Sequence, residues 1–201
     1  MSHIAIITDT DSNLPADLSK KFNIVQIPIL IQFGNDTFRD VYEINNETVF
    51  ARIDKEGVLP STAAPSPGQF SEAFKAAFAS GADSILCMSI SSEMSATYAS
   101  ARQAAEMFPD KRIEVMDTRS VAMGQGYMVL AAARAITQGS SIEEAIQAAQ
   151  EIRNRTYLFG ALTTLKYIAM SGRVSALAAG LAGLLDIKPI LSLQNGKLEL
   201  L

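Results

Sequence analysis

The chain has 201 residues, of which 48% are hydrophobic, and this is enough apolar content to bury a core in one domain and part of another. A net charge of −4 without a run of Lys or Arg argues against nucleic acid or an anionic membrane as a constitutive partner. The single cysteine excludes an intramolecular disulfide framework and the common zinc patterns, and the first residues lack the features of a signal peptide. We therefore expect a soluble, cytoplasmic protein without stable membrane insertion.

Strands alternate with helices along most of the chain. Short apolar segments that are typical of buried strands occur at residues 4–8, 24–33, 84–90 and 113–116, with a further short strand near Thr37. Segments with helical spacing lie at residues 15–22, 46–56, 68–79, 95–108, 121–137 and 142–153. This order predicts an α/β fold in which a parallel sheet has helices on both faces. We interpret residues 1–154 as one such domain.

The pattern changes after Thr156. Strands are predicted at residues 157–161 and 187–193, and helices at 163–170 and 174–185, the second of which is too short for a membrane span of roughly 20 residues. Asn195-Gly196 is a strong hairpin signal, and the sequence stops within the expected returning strand. Residues 155–201 are thus predicted to form an incomplete second, smaller α/β domain.

Four segments rich in Ser and Thr stand where strands are expected to give way to helices. They are TDTDSNLP from Thr8, PSTAAPSP from Pro60, SISSEMSATY from Ser89 and DTRS from Asp117. In an open α/β sheet, ligands bind outside the carboxyl ends of the strands, where hydroxyl and amide groups can converge on an anion. The only histidine and the only cysteine lie outside these loops. We therefore predict a binding protein with no catalytic residues, no metal and no cofactor.

These segments, taken in order, carry a family resemblance. The TDT start with Leu14-Pro15, then PSTAAPS, SSEMSATYxSA, DTxSxxMGxG and LKYxxxSGRVS through IKPIL to NG are similar to the DegV family of bacterial fatty-acid-binding proteins. The resemblance spans nearly the whole chain. It implies a first domain related to dihydroxyacetone kinases (the EDD fold), a smaller second domain, and a long-chain fatty acid bound between them. It also implies a lipid-carrier subunit, not itself an enzyme, that presents the fatty acid to a separate fatty acid kinase catalytic subunit.

The resemblance also implies which residues bind the fatty acid carboxylate. Thr62 matches the threonine of the family's P-x-T-S-Q-P segment, and Ser92 matches the second serine of its S-S-x-x-S-G-T-Y loop, with Ser91 beside it. Hydroxyl groups can bond a charged oxygen at about 1.5–3 kcal/mol each. Arg173 matches the family's Gly-Arg turn and is expected to contact the kinase partner. The supporting loop residues are Asp9, Thr10, Ser95, Thr97 and Asp117.

Two alternative functions begin from the same loops. Asp9 and Asp11 follow a strand two positions apart, as in magnesium-dependent aspartyl phosphatases, where Asp9 would be the nucleophile and Asp11 the acid. Such a site needs further carboxylates from a late strand, yet beyond Asp117 the only aspartate is Asp186. The second alternative is a phosphosugar- or nucleotide-binding module. Gly124-x-Gly126 resembles part of a dinucleotide loop without its third glycine.

Overall fold

The computed structural model describes residues 3–164, 168, 171–173 and 188–201. The strands, in chain order, are β1 (Ile4–Asp9), β2 (Ile24–Ile27), β3 (Leu30–Phe33), β4 (Asp36–Arg39), β5 (Ser61–Ala63), β6 (Ser84–Ser89), β7 (Arg112–Asp117), β8 (Phe159–Ala161), β9 (Ile190–Gln194) and β10 (Lys197–Leu200). The helices are α1 (Ala16–Lys21), α2 (Asn46–Glu56), α3 (Pro67–Ala79), α4 (Thr97–Ala105), α5 (Ala122–Thr137) and α6 (Ile142–Arg155).

A four-stranded parallel sheet with the order β2-β1-β6-β7 forms the centre of the first part of the chain. Successive residues of β1 point to opposite faces, so Ile6 packs with residues of α5 and α6, whereas Ile7 packs with residues of α3 and α4. All six residues of β6 are buried because the strand is covered on both sides. The predicted α/β fold with helices on both faces is confirmed.

The predicted strand over residues 24–33 is wrong in one respect, because the structure divides it at Pro28. Before the proline, β2 pairs with β1 in the parallel sheet, whereas β3 pairs antiparallel with β4 and β5 in a separate three-stranded sheet of order β4-β3-β5. Proline has no N–H to donate to a strand ladder, so an uninterrupted strand through Pro28 would lose a hydrogen bond. The chain instead changes sheet at this point.

The second sheet and helix α2 form a small lobe, residues 30–63, with a core of its own. Ile31, Phe33 and Ile44 are buried in this core, and the guanidinium of Arg52 lies 4.5 Å from the ring centroid of Phe33. Strand β5 lies within the hydroxyl-rich segment that begins at Pro60, for which the sequence predicts a loop. In its register with β3, Thr62 stands opposite Ile31. The lobe therefore fixes the position of Thr62 through a strand.

The remaining described strands form a third sheet with the order β10-β9-β8, and all of its pairs are antiparallel. The Asn195-Gly196 hairpin is confirmed: both residues have positive φ, 50° and 84°, as a two-residue turn between strands requires. The helix predicted over 163–170 falls largely, and that over 174–185 wholly, outside the described residues. Among the helices that are described, none has the length and hydropathy needed to cross a membrane.

The β9–β10 hairpin joins the third sheet to the first part of the chain. The hydroxyl of Ser91 donates to the carbonyl oxygen of Gly196 at 2.7 Å, and Arg119 donates to the carbonyl of Asn195. Lys197 also forms an ion pair with Glu93 at 3.2 Å. These contacts attach the hairpin to the loops after β6 and β7. The division of the chain at residues 154 and 155 stays a prediction.

Candidate functional site

A cavity of about 810 Å³ lies where the carboxyl ends of the parallel strands meet the lobe and the second part of the chain. Most of the residues around it are apolar, and they come from all three regions. The apolar residues are Ile29, Ile53, Leu59, Pro60, Ala63, Ala64, Ile90, Met94, Ala96, Val121, Ile168 and Leu198. The cavity is therefore an apolar space shared between the two predicted domains.

A few polar side chains interrupt this apolar wall. Thr62 and Ser95 border the cavity, together with Asp11 and Arg173. The guanidinium of Arg173 donates to the Thr62 hydroxyl at 3.4 Å and to the Ser171 carbonyl at 2.7 Å. The hydroxyls of Ser95 and Thr97 lie 2.8 Å apart at the start of α4, and Thr97 is fully buried. Among the described lining residues, one guanidinium, one carboxyl group and four hydroxyl groups, those of Ser61, Thr62, Ser95 and Ser171, thus occur in a wall that is otherwise apolar.

Ser92 does not border this cavity, and its polar groups are occupied elsewhere. Its hydroxyl donates to one oxygen of Asp117 at 2.5 Å, and its amide donates to the other oxygen at 3.2 Å. The amide of Arg119 reaches the same carboxylate at 2.8 Å. Asp117 therefore links two neighbouring loops, and Ser91 is buried in its contact with the hairpin. Carboxylate binding by Ser91 and Ser92 stays a prediction.

Asp9 is fully buried and holds the strand ends together. Its two oxygens accept from the Ile90 amide at 2.9 Å and from the side-chain amide of Gln125 at 3.0 Å. Burial raises the pKa of Asp9 to about 6, although these hydrogen bonds act in the opposite direction. Thr10 makes a related contact, since its hydroxyl accepts from the Ile29 amide at 3.1 Å. The sequence did not identify Gln125 as a partner of Asp9, because nothing in the sequence of α5 distinguishes a buried glutamine from one on the surface.

Asp11 has a different environment from Asp9. It is half-buried and borders the cavity, and no described residue gives its side chain a hydrogen bond or an ion pair. Burial raises the pKa of Asp11 to about 7, as do the negative charges of Asp9 and Asp40, whereas Arg173 lowers it. Asp11 is therefore an acidic group whose charge changes near neutral pH inside the cavity.

The two alternative functions gain no support from this geometry. A nucleophile must be accessible, yet Asp9 is fully buried and both its oxygens are bonded. Within the described part of the chain, no three His, Cys, Asp or Glu residues are grouped so that they could hold a metal ion. Gly124 and Gly126 lie inside α5, where a Cβ at Gly126 would come within 2.7 Å of the Ser12 carbonyl oxygen. These glycines therefore permit close packing.

The chain is similar to known proteins over its whole length. A family model described as uncharacterised proteins of the DegV family matches residues 3–201. A DegV domain-containing protein of Caldanaerobacter subterraneus subsp. tengcongensis is 34% identical over 201 residues, which are 100% of this chain and 71% of that protein.

Two solved structures have the same fold. A fatty-acid-binding DegV family protein from Thermus thermophilus matches with a TM-score of 0.89 at 32% identity, covering 99% of this chain and 70% of that one. DegV of Bacillus subtilis, a fatty acid binding protein, matches with a TM-score of 0.90 at 26% identity, covering 99% of this chain and 71% of that one. The resemblance noted in the sequence is confirmed, and the chain belongs to the DegV family.

Proposed function

We propose that this chain binds a long-chain fatty acid in the 810 Å³ cavity. The observation that carries the proposal is the composition of the described part of the wall, which is apolar except for Thr62, Ser95, Asp11, Arg173 and two further serines. The volume lies within the range of about 300–1,000 Å³ that is usual for small-molecule sites. The family's solved members from Thermus thermophilus and Bacillus subtilis are described as fatty-acid-binding, which supports the same ligand class here.

The acyl tail accounts for most of the expected affinity. Burial of each methylene is worth about 0.8 kcal/mol, so a chain of roughly 16 carbons offers more than about 10 kcal/mol before the costs of association. The polar end then needs only a few hydrogen bonds to fix its position. The tail would lie against aliphatic residues such as Ile29, Ile53 and Leu198.

The carboxylate end is assigned to Thr62, Ser95 and Arg173. Thr62 and Arg173 are already in contact, and Ser95 borders the same cavity. Hydrogen bonds from hydroxyl and guanidinium groups to a carboxylate are charge-assisted and therefore stronger than neutral ones. We prefer Ser95 to the predicted Ser92, because the Ser92 hydroxyl already donates to Asp117.

Mass spectrometry of small molecules released by denaturing the purified protein tests the ligand class. We expect a long-chain fatty acid in about one-to-one ratio that is absent from a mock purification. Protein that is empty, and that also fails to take up a fluorescent long-chain fatty acid after purification, would contradict the proposal.

Variants of the hydroxyl residues test the head-group assignment. Thr62→Ala and Ser95→Ala should each weaken fatty acid binding by about tenfold, since a charge-assisted hydrogen bond is worth about 1.5 kcal/mol or more. Thr37→Ala is the matched control, because Thr37 is an exposed hydroxyl residue on β4 of the same lobe and does not line the cavity. If Ser92→Ala weakened binding and Ser95→Ala did not, Ser92 would replace Ser95 in the head-group site.

We further propose that the protein presents its fatty acid to a separate kinase subunit and is not itself a catalyst. Arg173 supports this role because it is exposed to solvent while its guanidinium lies beside Thr62. At saturating fatty acid, Arg173→Gln should slow acyl phosphate formation by a fatty acid kinase catalytic subunit. Lys188→Gln removes an exposed cation that does not line the cavity and should leave the rate unchanged. Equal rates for Arg173→Gln and the parent protein would refute the role of Arg173. The cytoplasmic location stays a prediction.

A further inference from the structure

A second, smaller cavity of about 280 Å³ lies between the loop after β7, the end of α6 and the β9–β10 hairpin. We call it the arginine pocket, and its walls include Arg119, Ser120, Arg153, Leu158 and Leu193. It shares no described lining residue with the 810 Å³ cavity. A ligand in the arginine pocket would therefore occupy a site separate from that of the fatty acid.

Two arginines, Arg119 and Arg153, line this pocket. Arg153 is half-buried, and no described residue forms a hydrogen bond or an ion pair with its side chain. Arg119 donates to the carbonyl of Asn195, which uses only part of its fork of five N–H donors. No Asp or Glu is among the described residues that line the pocket. Two like charges that share a small space favour an anion between them.

Ser120 adds an unused hydroxyl group to the same pocket. The residue is only 4% exposed, and no described residue forms a hydrogen bond with its hydroxyl. It lies one residue before Val121, the N-cap of α5, and thus near the helix end where backbone N–H groups lack helical partners and the macrodipole favours negative charge. A Cβ at Gly124 would overlap the Ser120 hydroxyl, so the glycine leaves the space that this hydroxyl occupies.

From these groups we infer that the arginine pocket is a binding site for the phosphate group of a small molecule. A guanidinium group can donate two parallel hydrogen bonds to two oxygens of one phosphate group, and the Ser120 hydroxyl supplies a further donor. Leu158 and Leu193 form an apolar part of the wall, where the carbon portion of a phosphate ester can pack. The ligand class is thus free phosphate or a small phosphate monoester, which share the same recognition chemistry.

Calorimetric titration of the full chain at fixed ionic strength tests this site, with inorganic phosphate and n-butyl phosphate as the two probes. We expect each probe that binds to occupy one site per chain. Arg153→Gln should weaken binding by about tenfold, the loss expected for one charge-assisted contact. Arg155→Gln is the matched control, because Arg155 is an exposed cation on the same helix turn that does not line the pocket. Ser120→Ala should also weaken binding while leaving the melting temperature unchanged.

The outcomes separate the possible sources of the phosphate. Tighter binding of inorganic phosphate identifies free phosphate as the ligand, and tighter binding of n-butyl phosphate identifies an ester. Equal affinity shows that the site contacts the phosphate group alone. Each of these results upholds the site if Arg153→Gln weakens it. Absence of binding by both probes would overturn the inference. So would an equal loss of affinity in Arg153→Gln and Arg155→Gln, because the binding would then reflect general surface charge.

Discussion

Asp9 and Asp11 are two positions apart on one loop, and their surroundings give them different roles. Asp9 is locked between Gln125 and the Ile90 amide, whereas Asp11 borders the proposed head-group cavity with no bonded partner among the described residues. A fatty acid carboxylate in that cavity would add negative charge near Asp11. This charge would raise the pKa of Asp11 above its value of about 7 in the empty protein.

Fatty acid binding should therefore become weaker as the pH rises through about 7. The pKa of Asp11 is higher in the complex than in the protein without ligand, so Asp11 takes up a proton when the fatty acid binds. Proton uptake makes the affinity greater at low pH than at high pH. This difference in affinity is complete once the pH is high enough to ionise Asp11 in the complex as well. Asp11→Asn should bind more tightly than the parent protein at pH 8 and should lose most of the dependence that the parent shows between about pH 7 and pH 9. Titration with a fluorescent fatty acid across this range measures both effects.

Asp17→Asn is the control for a general change of charge, since Asp17 is exposed on α1. Fatty acid affinity that is independent of pH in the parent protein would contradict the role of Asp11. Such a result would leave the proposed function intact, because the ligand would still bind.

Val41 is held in a backbone conformation that its side chain disfavours. Its φ is 68°, in the left-handed region, and its side chain is 60% exposed, so little packing offsets the strain. Val41→Gly should stabilise the protein by about 1 kcal/mol, as measured by urea unfolding. Val58→Gly, at an exposed position without positive φ, should instead be destabilising. A loss of stability in Val41→Gly would show that its side chain makes a contribution greater than the strain.

For the candidate site, the sequence predicts which types of residue are present better than it predicts which individual residues border the cavity. Ser92 and Ser95 stand in one short segment, and their spacing does not show which of them turns towards the cavity. The choice depends on Asp117, which comes from the next strand of the sheet and engages Ser92. Thr62 and Arg173 were both selected from the sequence, but their contact across 111 positions could not be foreseen.

At the scale of the elements, the β9–β10 hairpin packs closely against the loop that follows β6. Gly196 has a φ of 84°, and a Cβ there would come within 2.6 Å of the Ser91 hydroxyl oxygen. Gly196→Ala should therefore be more destabilising than Gly34→Ala, which has a φ of 57° and open space around it. Both variants lose about 1 kcal/mol to the left-handed conformation, and only Gly196→Ala also disturbs the contact with Ser91.

Thermal unfolding of the two glycine variants measures this difference. The double variant Ser91→Ala with Gly196→Ala should lose less stability than the two single variants added together, because the hydrogen bond and the overlap involve the same Ser91 hydroxyl. Equal destabilisation by Gly196→Ala and Gly34→Ala would show that the hairpin is not held closely at Ser91.

The helices of the first part were predictable because their signals are local. Capping boxes start α3 at Ser66 and α6 at Ser141, and Gly57 ends α2 with a positive φ. Strand β5 was missed because it has only three residues, and its pairing with β3 is an interaction between distant parts of the chain. The division at Pro28 could have been read from the sequence, since proline rarely continues a central strand.

At the level of the whole molecule, the proposed fatty acid site depends on both parts of the chain. Ile29 and Thr62 come from the first part, and Arg173 and Leu198 come from the second. A ligand that binds only the folded protein stabilises it by about 2.7 kcal/mol at a free concentration of 100 times its Kd. Oleate added to delipidated protein should therefore raise the Tm of the chain as one cooperative unit. Scanning calorimetry measures this shift, and a shift confined to one of two separate transitions would contradict a shared site.

The change of sheet at Pro28 also restricts how the protein can vary in length. Only Pro28 and Ile29 connect β2 to β3. The backbone amide of Ile29 donates a hydrogen bond to the Thr10 hydroxyl, and its carbonyl accepts one from the Asp40 amide. Side chains alternate along a strand, so one residue inserted here would turn either Ile31 and Phe33 out of the lobe's core or Ile29 away from the cavity. Insertions and deletions should therefore be excluded from this two-residue connection, even where neighbouring loops tolerate them.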